Sequence, residues 1–191
     1  MSKEYKNLSE LIKNNLSTSE TEEAIQLITK LSDVKRKKFL TKDQFYIVAM
    51  WKTPRPKNHY LNNSEEIIKK VSQKVITAKS EEEKMQYLTS LKGVSIAVAS
   101  SLLTIMNPKD YGIIDIRVWQ LLYKYGEVKT KPGGQGFNIK DWLIYLKILR
   151  KYATQFNTNV RDIERTLFFY HKKIQVGKLY DLKTKKHNLF K

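Results

Sequence analysis

The sequence contains no cysteine, only three histidines, and no long apolar run. The absence of cysteine excludes disulfides, thiol catalysis, iron–sulfur clusters and cysteine-ligated zinc. His59, His171 and His187 are too scattered to match the spacing of a metal site. The longest uncharged stretch, residues 93–108, is too short to cross a bilayer. We therefore expect neither a membrane span nor an organic or redox cofactor.

Acidic residues are also few. The sequence has 19 Asp and Glu but 36 Lys and Arg, which gives a formal net charge of +17 at pH 7. Such an excess disfavours a compact fold unless the usual partner is a polyanion. Nucleic acid is the favoured partner, and an anionic membrane surface is the weaker alternative, because no single amphipathic stretch concentrates the charge. The charged N-terminus differs from a secretory signal, so we expect an intracellular location. We also expect the protein to be a monomer.

Apolar residues recur at helical spacing, and alternation with period two is rare, which predicts an all-α fold. One helix must end before Pro54. Asn63 with Glu66, Ser80 with Glu83 and Asn138 with Asp141 have the spacing of N-terminal capping boxes. The glycine-rich segment 131–137 is predicted to be a loop that can move. We expect one helical domain over residues 1–172 and a basic tail over 173–191.

The most informative part of the chain is a predicted helical hairpin over residues 84–106, followed by a helix over residues 115–125. Gly93 supplies the turn in the sequence LKGVS, and a helix of small and apolar residues, IAVASSLLTIM, follows it. Asp115 opens the next helix, DIRVWQLLYKYG, which Gly126 closes. Gly93 and Asp115 stand 22 positions apart.

LKGVSIAVAS followed by YGIIDIRVWQLL resembles the helix-hairpin-helix DNA glycosylase superfamily, and its 8-oxoguanine and endonuclease III-like branches most closely. The spacing from Gly93 to Asp115 matches that family, and Trp119 repeats an aromatic residue four positions after the aspartate. The resemblance covers residues 87–123. It implies a two-lobed helical fold with a cleft between the lobes, and double-stranded DNA with a damaged or modified base as the partner.

Several site residues are implied by the resemblance. Asp115 would activate a water or stabilise the sugar cation as the base departs. The hairpin would bind a DNA phosphate through Lys92 and the backbone N–H groups of Gly93, Val94, Ser95 and Ile96. Carbonyl groups of Thr89, Leu91 and Val94 would hold a monovalent cation. Candidates for the base pocket are Trp51, Trp119, Phe169 and Tyr170, and further DNA contacts are expected from Lys52, Arg55 and Asn58.

Each of these assignments has a plainer alternative. Asp115 suits a helix N-cap, and both roles are compatible. The turn at Gly93 is open to interpretation as a simple connection between packed helices. Trp51 and Trp119 are residues that cores commonly bury. The segment 51–60 is equally consistent with a solvated loop.

The chain departs from the family at two positions of the hairpin. Ala97 stands where the strand-cleaving members carry the lysine that forms a Schiff base, and Ser95 replaces the second glycine. The sequence therefore predicts a monofunctional glycosylase that hydrolyses the glycosidic bond and leaves an abasic site. The alternatives are a non-catalytic DNA-binding module and a bifunctional 8-oxoguanine glycosylase whose lysine lies elsewhere, with Lys52 as the first candidate.

Overall fold

The computed structural model describes residues 5–177 and 179, which form eleven α-helices and no β-strand. The predicted all-α class is confirmed. The helices are α1 (Leu8–Asn15), α2 (Glu22–Lys30), α3 (Val34–Lys37), α4 (Lys42–Lys52), α5 (Lys57–Leu61), α6 (Glu65–Thr77), α7 (Glu81–Thr89), α8 (Ile96–Met106), α9 (Ile116–Lys124), α10 (Ile139–Gln155) and α11 (Val160–Ile174).

Side-chain caps define many helix starts. Ser80 caps α7 in a capping box with Glu83, and Asn138 caps α10 in the same way with Asp141, as the spacing predicts. The predicted box at Asn63 is wrong, because Ser64 is the N-cap of α6 and accepts the Ile67 N–H at 3.2 Å. The buried Asn63 side chain instead forms hydrogen bonds with the backbone of Lys92.

Helix α8 is the centre of the core. All its residues from Val98 to Ile105 are buried, as expected of a helix that is mostly apolar around its circumference. Helices α4 and α7 pack against it, and α9 and α10 both pack against α11. Helix α4 ends before Pro54, as predicted, and Lys52 is its last residue.

A buried charge network attaches α11 to the segment that precedes α2. Arg161 Nε lies 2.8 Å from Glu20 Oε2, and Arg165 binds the same oxygen at 3.1 Å. Arg161 also pairs with Glu164, one turn further along α11. The charges are almost fully removed from water, so each needs its partner to offset the desolvation cost.

The loop at 131–137 is tied down by contacts to its neighbours. Gln120 Nε2 donates to Gly133 O at 3.0 Å, and the indole N–H of Trp119 donates to Thr130 O at 3.1 Å. Lys131 Nζ pairs with Asp141 at the start of α10. These bonds place the loop along α9, and Gly134 lies close to Ile116, the first residue of that helix.

No helix within residues 5–177 is both long and apolar enough to cross a membrane. Most of the basic tail predicted over 173–191 lies outside the described residues.

Candidate functional site

The hairpin between α7 and α8 requires glycine at position 93. Gly93 has φ +82°, in the left-handed region, and a Cβ placed on it would lie 2.8 Å from the Cβ of His59 and 3.1 Å from Tyr60 Cδ1. A side chain would therefore add both backbone strain and a clash. Gly93 thus allows the turn to pack closely on α5.

Asn63 holds the hairpin from the other side. Its Oδ1 accepts the Lys92 N–H at 2.9 Å, and its Nδ2 donates to Lys92 O at 3.0 Å, so one amide satisfies both backbone groups of the residue before the glycine. The same Nδ2 also donates to the carbonyls of His59 and Tyr60. Asn63 is 2% exposed, so the loss of this amide would leave buried polar groups unpaired.

Three of the four backbone N–H groups predicted to bind a phosphate have no acceptor among the described residues, and the fourth, that of Val94, has one. Ser95 is the N-cap of α8, with its Oγ accepting the Val98 N–H, and the Val94 N–H donates to Leu91 O at 3.1 Å. Val94 is therefore not a free donor. The N–H groups of Gly93, Ser95 and Ile96 find no acceptor among the described residues. The carbonyl of Leu91 is the acceptor of the Val94 N–H, and the monovalent cation that the resemblance implies at the carbonyls of Thr89, Leu91 and Val94 stays a prediction.

Asp115 is the N-cap of α9. It has an extended backbone conformation, and its Oδ1 accepts the Arg117 N–H at 3.0 Å. The capping alternative is therefore realised, but it uses only one carboxylate oxygen. Oδ2 lies 3.1 Å from Lys52 Nζ, at the end of α4. The two side chains remain 21% and 18% exposed, respectively, so both can be reached from solvent.

Three helices fix the backbone that leads into Asp115. Ser100 Oγ of α8 accepts the Ile114 N–H at 3.1 Å, and Tyr145 of α10 donates its hydroxyl to Ile113 O at 2.7 Å. On the α11 side, Glu164 Oε2 accepts the Ile113 N–H at 3.4 Å. The carboxylate therefore sits on a rigid support, as a preorganised site requires.

Asp115 and Lys52 line a cleft of about 390 Å³, and this volume is within the range of small-molecule sites. Helices α4 and α11, the start of α2 and the segment before α9 form its walls. The lining residues are Thr21, Glu23, Trp51, Lys52, Ile113, Asp115, Arg161, Glu164, Arg165, Phe168 and Phe169. The cleft therefore combines three aromatic rings with charged groups of both signs.

A second carboxyl group, Glu164, lies at the buried side of the cleft. Burial raises its pKa above the ordinary value, the nearby charge of Asp115 raises it further, and the charges of Arg161 and Lys52 partly oppose the shift. The charges of Asp115 and Lys52 therefore both act on Glu164, and no local pattern in the sequence indicates this.

The predicted base-pocket residues separate into two pairs. Trp51 and Phe169 line the cleft, and Phe169 is 44% exposed although it is a large aromatic residue. Trp119 is fully buried, with its ring centroid 5.0 Å from that of Phe137, so it belongs to the core. Trp119 does lie one turn after Asp115, since its backbone N–H donates to Asp115 O at 2.9 Å, but its ring packs into the core and is not among the cleft residues. Tyr170 packs edge-on against Tyr5 and is not among the cleft residues.

The segment 53–60 connects the cleft to the hairpin. It begins after Lys52 in the cleft and ends at Tyr60, whose ring lies against Gly93. Arg55 and Asn58 are exposed along this path. The two positions predicted to contact DNA, Arg55 and Asn58, therefore lie between the cleft and the hairpin. Lys52, the third predicted contact, instead donates its amine to Asp115.

A larger and more open cavity of about 700 Å³ lies near the start of α11, lined by residues such as Lys109, Arg150 and Asn159. It contains none of the hairpin residues and neither Asp115 nor Lys52. We regard the smaller cleft as the candidate site, because it alone of these two cavities joins aromatic surface to a supported carboxylate and an amine.

Comparison with known proteins finds no matching family model, no matching curated protein and no matching solved structure.

Proposed function

We propose that the chain is a DNA N-glycosylase that flips a damaged or modified base into the cleft and hydrolyses its glycosidic bond. The observation that carries the proposal is the position of Asp115. Its carboxylate is fixed by the capping bond and lines a cleft that contains three aromatic residues, 22 positions after a hairpin glycine. The proposed fold is the two-lobed one, with the cleft between its lobes.

The cleft has the chemistry that a flipped base requires. An extruded base is held by stacking on aromatic rings and by hydrogen bonds to its polar edge. Trp51, Phe168 and Phe169 provide the aromatic surface, and Thr21 and Glu23 are among the polar lining residues. The exposed ring of Phe169 is available for stacking without any rearrangement of the core.

Asp115 would supply the charge that the reaction needs. As the base leaves, positive charge develops on the sugar, and a carboxylate close to it lowers the barrier or accepts a proton from the attacking water. Oδ1 accepts the capping hydrogen bond from the Arg117 N–H, and this bond fixes the orientation of the carboxylate. Oδ2 faces Lys52 and is the oxygen that would act on the sugar or water.

The proposed DNA contacts begin at the hairpin. The N–H groups of Gly93, Ser95 and Ile96 lie at the positive end of α8 and would bind one phosphate, with Lys92 beside them. Arg55 and Asn58 would contact the strand between this phosphate and the flipped nucleotide. The formal charge of +17 would add contacts that do not depend on base sequence.

The alternative function is a DNA-binding module without catalysis, which the same hairpin and charge would also support. The two are separated by a panel of duplexes, each with one lesion or mismatch, incubated with the protein and then treated with alkali. A glycosylase makes the strand alkali-labile at one class of lesion, and Asp115→Asn abolishes this. Binding to every duplex without an alkali-labile site on any of them would favour the module.

A further inference from the structure

A third cavity, here the distal groove, lies at the end of α8 that is far from the hairpin. It has a volume of about 180 Å³ and is formed by α3, the end of α6, the start of α7 and the end of α8. Helix α8 runs from Ile96 at the hairpin to Met106 in the groove, a distance of about 15 Å at about 1.5 Å per residue. The groove shares no lining residue with the candidate cleft. A ligand in the distal groove would therefore leave the hairpin and the cleft free.

Apolar side chains form the base of the distal groove. Val75, Leu103 and Tyr111 are buried there, while Ile76 and Met106 are half-buried and keep part of their surface toward solvent. The volume is below the roughly 300–1,000 Å³ of small-molecule sites. It suits one large apolar side chain, the kind of anchor that a protein partner inserts into a pocket.

All charged residues that line the distal groove are basic. They are Lys35, Lys38 and Lys84, and no acidic residue is among the described lining residues, whereas the other two cavities are lined by both signs. Lys84 Nζ lies 2.9 Å from the Tyr111 hydroxyl and 3.3 Å from Glu81. Lys35 and Lys38 are exposed, and their amines have no acidic partner within residues 5–177. Like charges around an apolar pocket repel each other, so an anionic ligand would stabilise this arrangement.

The backbone of Lys38 is strained. Its φ is +64°, in the left-handed region, where it ends α3 as the C-cap. Glycine or asparagine is preferred at such a position, because a Cβ lies too close to the following carbonyl. The benefit of lysine here therefore lies in its side chain, which lines the groove.

We propose that the distal groove binds an acidic peptide segment of a partner protein. One apolar side chain of the segment enters the pocket beside Met106, and aspartate or glutamate side chains next to it pair with Lys35 and Lys38. A DNA backbone would meet the lysines but has no apolar side chain for the pocket. A second copy of the chain carries +17, and residues 178–191 have five lysines and one acidic residue, so neither matches the charge of the groove. The inference is independent of the proposed function.

The test uses the full chain and a set of short fluorescein-labelled peptides, each with one Leu, Ile, Phe or Trp flanked on both sides by Asp or Glu. We expect at least one peptide to bind saturably and in a one-to-one ratio by fluorescence anisotropy. Replacing its apolar residue by Ala, or its acidic residues by Asn and Gln, should weaken binding at least about 10-fold. Added salt should also weaken it, because the lysines are exposed.

Charge reversal tests the role of the lysines. Lys35→Glu combined with Lys38→Glu should weaken peptide binding at least about 10-fold. Lys70→Glu combined with Lys79→Glu is the matched control, because both positions are exposed outside the groove and the change in net charge is the same. The control should bind within about 2-fold of the wild type, since salt screens charges that are distant from the ligand.

Lys38→Gly separates binding from folding. Glycine relieves the left-handed backbone and removes the amine. The melting temperature should therefore stay the same or rise, while peptide affinity falls about 3-fold or more.

Met106→Lys tests the apolar pocket separately from the charge. The new side chain has a similar length, and it places a cation in the last turn of α8, which the helix dipole favours. Because the pocket would then hold an amine where the apolar anchor packs, peptide binding should weaken at least about 5-fold. Binding driven by charge alone would instead become tighter.

The inference is overturned if no peptide binds saturably at concentrations up to about 1 mM. It is also overturned if the groove variants and the matched control weaken binding equally, if Lys38→Gly binds as the wild type does, or if Met106→Lys binds more tightly. Duplex DNA is measured in parallel. A loss of duplex affinity in the double groove variant that exceeds the loss in the control, without peptide binding, would identify a second nucleic-acid surface and reject the peptide site.

Discussion

Substitution of Asp115 by asparagine separates the observed capping role of this residue from its proposed catalytic role. Asparagine is as good an N-cap as aspartate, so the bond from the Arg117 N–H to Oδ1 should survive. The ion pair with Lys52 is lost, but both side chains are about one-fifth exposed, so its contribution is below about 1 kcal/mol. For a chain of this size we expect the melting temperature to fall by no more than about 3 °C.

The effect on base release should be far larger. If the carboxylate assists the departing base as proposed, removing its charge should slow excision about 100- to 10,000-fold. The assay is single-turnover base release on the lesion identified by the duplex panel, alongside thermal melting and duplex affinity, which should stay within a few-fold of wild type. Asp115→Ala is the companion variant, because it also removes the cap and should destabilise the fold by about 2 kcal/mol.

Excision by Asp115→Asn at the wild-type rate would refute the catalytic role. A large loss of stability in the same variant would instead show that the aspartate is mainly a cap that asparagine cannot replace.

Three other predictions follow from the fold and the hairpin. Gly93→Ala should lower the free energy of unfolding by roughly 2 kcal/mol or more in denaturant titration, because φ is +82° and Cβ would meet His59; unchanged stability would contradict the close packing. Burial acts to raise the pKa of Glu81, but hydrogen bonds from Arg150 and Tyr111 outweigh burial and hold the pKa below the ordinary value. The ionised Glu81 therefore stabilises the folded state above about pH 4.5, and this contribution is lost on acidification. Glu81→Gln should therefore reduce the loss of stability between pH 5 and pH 3 by up to about 1 kcal/mol, and an unchanged slope would contradict this. Ser95→Asp should keep the cap of α8 but weaken binding to every duplex, with Ser95→Asn as the neutral control, and log K should fall with log salt at a slope of about −4 to −7. A slope near zero would argue against DNA as the partner.

Local patterns predicted the all-α class and several helix ends. The period of the apolar residues, the caps at Ser80 and Asn138 and the stop before Pro54 depend on neighbours within one or two turns, so the sequence contains what determines them. The turn at Gly93 was predictable for the same reason, although the clash with His59 that makes glycine necessary was not.

Long-range pairings account for what the sequence did not reveal. Asn63 satisfies Lys92 from 29 positions away, and its local spacing to Glu66 indicated a cap instead. Lys52 and Asp115 are 63 positions apart, and only the packing of α4 against α8 brings them to one cleft. Glu164 was missed because charged residues on helices are usually exposed, and nothing local marks one that pairs with a buried arginine.

The assignment of Trp119 shows how a correct spacing can still mislead. Trp119 lies four positions after Asp115, which suggests a shared helix face. Asp115 is the cap and not part of the helix, and α9 turns Trp119 inward against Phe137. Trp51, by contrast, reaches the cleft because α4 ends there.

The central claim is that this cleft removes a base from DNA, and mass spectrometry of one reaction tests it most directly. Duplexes that each carry one lesion or mismatch are incubated with the wild-type protein, and both the small-molecule fraction and the strands are weighed without alkali. We predict a free base from one class of lesion, a matching loss of that base from the strand, and neither product with Asp115→Asn. Strands that all keep their full mass while the protein binds them would contradict the account.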